Sequence, residues 1–169
     1  MRSRPHFNQK LFLSGFAAVS VLSLAACVQA GPPAGRGMPE EAREQIHTLF
    51  DNHTKFQRKV TKTEDGYVAV TESDDKKLVK ALQTHVAQMS KRLESGLMVR
   101  RWDPAFEEYV NHYDEMEHQF EKTDKGVRMT VKGRTEEAAK IARNHASVIS
   151  AFLAHGWEEH DKTHATVAK

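Results

Sequence analysis

The segment KVTKTEDGYVAVTES, residues 59–73, decides the fold. Val60 and Lys62 alternate before Asp65-Gly66, and Tyr67, Ala69 and Thr71 alternate after it. A glycine behind a polar residue, set between alternating β-formers, is a hairpin signal. FEKTDKGVRMTV, residues 120–131, repeats the device around Lys125-Gly126 and puts Val127, Met129 and Val131 on one face. The two glycines, Gly66 and Gly126, stand sixty residues apart.

The offset holds over a longer span. Residues 46–97 overlay 106–157 without a gap. Lys62, Thr63, Gly66, Lys80, His85, Ser90, Leu93 and Gly96 recur as Lys122, Thr123, Gly126, Lys140, His145, Ser150, Leu153 and Gly156. Ile46, Leu49, Phe50, Phe56 and Val60 meet Phe106, Tyr109, Val110, Met116 and Phe120, and both sets follow helical spacing. Each repeat therefore reads as helix, hairpin, helix. The first helices are expected over 40–60 and 104–121, the second over 75–95 and 136–155. Asp103 before Pro104 suits a helix start, Ser73 or Asp74 caps one second helix, and Thr135 caps the other. Gly96 and Gly156 stand where those helices stop.

A lone two-stranded hairpin is marginal in water. The expected fold is α+β: a duplicated α-β-β-α unit whose hairpins join across a pseudo-twofold into a four-stranded antiparallel sheet, with helices packed on one face. The repeats cover about 40–99 and 100–158 of a single domain, followed by a polar tail over 159–169. Exchange between two copies in a homodimer would satisfy the same hairpins.

The first residues read differently. MRSRPHFNQK is basic, and LFLSGFAAVSVLSLAA is a short apolar run that ends at the chain's single cysteine. This pattern marks a secretory signal, too short for a comfortable membrane span. Leu24-Ala25-Ala26-Cys27 resembles the lipobox of bacterial lipoprotein precursors. The resemblance implies cleavage after residue 26, lipidation of Cys27, and anchoring in the bacterial envelope. Val28 in place of aspartate implies the outer membrane, facing the periplasm or the cell surface. Residues 27–39 form a Gly- and Pro-rich tether.

Without Arg2, Arg4 and Lys10 the 25 basic residues fall to 22, against 23 acidic ones. A near-neutral mature chain carries no footprint for nucleic acid. A lone cysteine excludes thiolate-held zinc and iron–sulfur clusters, and the missing Cys-x-x-Cys-His excludes covalent haem. No nucleophile elbow, phosphate loop or HExxH appears, so no enzyme is expected.

The chemistry rests on the 10 histidines. His85 falls among Leu78, Leu82, Val86, Met89 and Leu93, and His145 among Ile141, Ala142, Ile149 and Phe152. His53 centres the first stripe and Tyr113 takes its place in the second repeat. Two readings stand. Either these polar groups are satisfied in the core and fix how the halves dock, or they face a ligand. Apolar walls around two helix-borne imidazoles suit b-type haem with His or His/Met ligation. A copper site from His53, His85 and Met89 is the second choice, since His and Met are the softer ligands present. His160 and His164 lie four apart and would share a face of a helical tail, a weak surface metal site. His47, His112 and His118 read as lying beside the stripes. Trp102, in the linker LMVRRWDP, is expected to plug the seam between halves. The expected function is non-enzymatic binding at the envelope, of haem or copper, with a structural or protein-interaction module as the alternative and its protein partner left open.

Overall fold

The computed structural model describes residues 38–167. Cys27, the signal-like stretch and most of the tether lie outside the described residues.

The elements run α1 (Glu40–Asp51), β1 (Gln57–Lys62), β2 (Gly66–Glu72), α2 (Lys76–Glu94), α3 (Pro104–Asn111), β3 (Met116–Thr123), β4 (Gly126–Gly133), α4 (Glu136–His155) and the single turn α5 (Trp157–His160). The fold is α+β. One antiparallel sheet has the order β1-β2-β4-β3, so the two hairpins meet through β2 and β4. Their register pairs Ala69 with Met129, Gly66 with Lys132 and Glu72 with Gly126. Each hairpin glycine lies against the other strand's backbone: Gly66 on the Val131 carbonyl, Gly126 on the Thr71 carbonyl.

Both first helices end earlier than their apolar spacing predicts. A one-turn 3-10 helix, His53–Lys55 or Tyr113–Glu115, follows each, and the chain then enters β1 or β3. Met116 and Phe120 satisfy period two as well as period four, and the sheet wins because the hairpin partner supplies a ladder from Met116↔Gly133 to Thr123↔Gly126. At α2 the cap is Asp75, whose carboxylate accepts from the Lys77 amide at 2.8 Å, not Ser73 or Asp74. Asp103 and Thr135 cap α3 and α4 as expected.

The inner sheet face carries Tyr67, Ala69 and Val131, each at most 1% exposed, while Arg128 and Lys132 on the outer face are exposed. The helices take the inner face, but α2 and α4 do so unequally. On α4, Ala138, Ala139, Ile141, Ala142, Ala146, Val148 and Phe152 are buried; on α2, only Leu78, Ala81 and Leu82. The sequence supplies the cause. Alanines let α4 approach closely, and a Cβ on Gly133, where β4 leads into α4, would sit 2.2 Å from the Ala139 amide nitrogen. The equivalent residue before α2 is Ser73. Leu82, Val86 and Met89 of α2 line a chamber between the helices and the sheet.

The last residues are not a free tail. Arg100 donates to the carbonyls of His160 at 2.7 Å and Lys162 at 3.0 Å. The Val167 amide donates to the Glu108 carboxylate, and Asn144 Nδ2 donates to the Ala165 carbonyl at 2.9 Å. Residues 161–167 thus form a strap along α3 and α4.

Candidate ligand-binding cavity

A cavity of about 480 Å³ lies between the helices and the inner sheet face, within the size range of small-molecule sites. Its walls are mostly apolar: Leu82 and Val86 from α2, Phe106 from α3, Ile149 and Phe152 from α4, with Ile46, Leu49 and Phe50 of α1 on the far side. His53, His85, Met89, Tyr113 and His145 all line it. The fold therefore gathers the whole sequence-predicted inner set around one space.

The members differ in what holds them. His85 Nδ1 is buried with no hydrogen-bond partner among the described residues. Burial holds its proton affinity down, to a pKa of about 4. His85 as a whole is half-buried and lines the cavity. His145 stacks on Tyr109, ring centres 3.8 Å apart at 17°, and meets Phe106 edge-on at 5.4 Å. Its pKa is pushed down to about 3 by burial first, then by nearby Arg58 and His118. Both imidazoles are neutral at physiological pH, the form that coordinates a metal.

His53 is committed elsewhere. Its Nδ1–H donates to the Leu153 carbonyl at 2.9 Å, and its ring occupies the space above Gly156. A Cβ there would lie 2.4 Å from His53 Cδ2 and 2.7 Å from Nε2, and Gly156 has φ +55°. Gly156→Ala is expected to lose at least about 1–3 kcal/mol through backbone strain alone. Chemical denaturation checks this, and an unchanged midpoint would show that neither strain nor His53 packing matters.

Tyr113 stacks on His118, centres 4.1 Å apart at 15°, and not on the inner histidines. The hydroxyl of Tyr109 is hydrogen-bonded to His118 Nε2 at 2.8 Å. His118 also lines the cavity, with its pKa lowered to about 4 chiefly by burial. Read as part of a helix, His118 fell beside the stripe; on β3 it alternates inward with Met116 and Phe120. His47 lines the cavity too. Arg58 was hidden by the same misreading. On β1 it faces inward between Phe56 and Val60, and strand alternation was the signal that could have found it.

The tail histidines do not form the expected pair. Helix α5 ends at His160, so no helical face joins it to His164. His160 Nδ1 bonds Asp161 at 2.7 Å, while His164 is clamped between Asp103 (Nδ1, 2.7 Å) and Glu159 (Nε2, 3.0 Å). Among the described residues no three His, Cys, Asp or Glu side chains gather to hold a metal ion. Trp102 does not plug the seam: it is 51% exposed, with the Arg100 guanidinium over its ring at 4.1 Å.

No protein-family model, curated protein or solved structure matches this chain.

Proposed function

We propose that this protein is a non-enzymatic binding lipoprotein, anchored at the bacterial envelope through Cys27, that holds b-type haem in the cavity beneath α2. The observation that carries the reading is His85: a neutral imidazole with an unpartnered buried nitrogen, on the wall of an apolar chamber of about 480 Å³. A buried polar group without a partner is costly and calls for an explanation. A flat apolar ligand fits the walls, and iron gives the imidazole something to bind. His145 is the second candidate axial ligand. Copper held by His53, His85 and Met89 is less well supported, because His53 turns its Nε2 edge against Gly156. The lipid would hold the domain at the membrane, with residues 28–39 as the spacer.

The experiment is a haem titration of residues 28–169 followed by absorption, with metal analysis of the protein as isolated. A stoichiometric Soret band is expected, and His85→Ala should weaken haem binding about tenfold or more. His145→Ala should shift the band if it is the second ligand. Stoichiometric copper, lost in His85→Ala, would move the assignment to copper. A colourless, metal-free protein that takes up neither would favour the interaction-module alternative.

A further inference from the structure

One buried charge in the cavity wall has no counter-charge. Arg58 projects from β1 into the space between sheet and helices. Its Nε donates to Ser150 Oγ at 3.2 Å and its Nη1 to Thr71 Oγ1 at 2.7 Å. Both partners are neutral hydroxyls. Its Nη2 is buried with no hydrogen-bond partner, and among the described residues no carboxylate lies in ion-pair contact with Arg58. A buried guanidinium without an anion is costly, and folding alone gives no reason for it. The other arginines lining the cavity differ. Arg100 is paired with Asp103 and caps the strap, and Arg43 is exposed. Burial weakens the hold of Arg58 on its proton, in the direction expected for a charge awaiting a partner, and its field reaches His145.

We propose that the ligand of this cavity carries a carboxylate and that Arg58 receives it inside the protein. The inference rests on the haem reading for its first probe: a haem propionate is the carboxylate, and the ring lies in the apolar chamber beside the histidines. Arginine suits the task because its planar fork meets a carboxylate with paired N–H donors. Thr71 and Ser150 hold the guanidinium in place, so binding need not first order it. The apolar walls lower the local dielectric and strengthen the pair.

The test compares haem with its dimethyl ester on residues 28–169, with Arg58→Met and Arg58→Lys beside the unaltered protein. The unaltered protein should bind the ester roughly ten- to a hundredfold more weakly than the acid. Arg58→Met should bind both alike, and Arg58→Lys should keep part of the difference. The comparison on unaltered protein needs no variant to fold. Equal binding of acid and ester by unaltered protein overturns the Arg58 assignment and leaves the haem reading standing. If neither haem form binds, the haem reading fails, and palmitate against methyl palmitate becomes the probe. Preference for the acid, lost in Arg58→Met, then upholds the carboxylate assignment; no preference, or no binding, overturns it.

Discussion

Acidification from neutrality to about pH 4 is expected to unfold the ligand-free protein, through histidines that burial keeps neutral. In the unfolded chain His85 and His145 titrate near their ordinary 6.5; folded, they hold off protonation to about 4 and about 3. Above 6.5 neither state is protonated, and the full stability is present. As pH falls below that value the unfolded chain binds protons that the folded one refuses, so stability drops. The loss is roughly 1.4 kcal/mol per pH unit for each histidine, or about 3 kcal/mol per unit for the pair. A domain of this size has about 5–15 kcal/mol to lose. Denaturant titrations from neutral pH to about 4 should therefore show a steep decline. His85→Leu with His145→Phe, which keep the packing and remove two of the titrations, should make it shallower and leave the share of His118, whose folded pKa is also about 4. A wild-type stability independent of pH across this window would mean that the two rings are not buried as described.

Asp103→Ala is expected to cost about 3–5 kcal/mol, because it breaks a buried network at several points at once. The carboxylate is 0% exposed and caps α3 by accepting from the Ala105 amide at 3.2 Å. It also accepts from His164 through the ring at 2.7 Å and the amide at 3.1 Å, and from Arg100 at 3.3 Å. Burial alone would raise its pKa, but the bonds from His164 and Arg100 outweigh that and hold it low. Asp103→Ala would leave Arg100 without its carboxylate and release the strap. Proteolysis near the C-terminus and denaturant unfolding report both consequences. Asp103 stabilises the fold above the ordinary carboxylate range and loses that effect as pH falls through its depressed folded value, so its contribution falls below the histidine window. A change under about 1 kcal/mol, with the strap still protected, would show that the network is ornamental.

Much of this architecture was legible in the chain. The hairpins around Gly66 and Gly126, the second helices and the caps Asp103 and Thr135 follow from local chemistry that neighbouring residues enforce. The ends of the first helices were not legible. Met116 and Phe120 fit either period, and only a strand partner contributed by β4 settles the choice. His118 was misplaced for that reason. The strap was missed because its partners, Arg100, Asp103 and Glu108, lie about sixty residues away and leave no local pattern.

By itself the sequence determined the α+β class, the sixty-residue offset and the inward placement of His53, His85, Tyr113 and His145. Periodicity and turn chemistry act over a few residues and can be read there. Tertiary structure decided whether those inward stripes close on each other or enclose a space. That depends on how closely each helix approaches the sheet. Gly133 and the alanines of α4 bring one helix down, while Leu82, Val86 and Met89 of α2 line a cavity of about 480 Å³. Close packing is a property of two surfaces together, and neither surface records it alone.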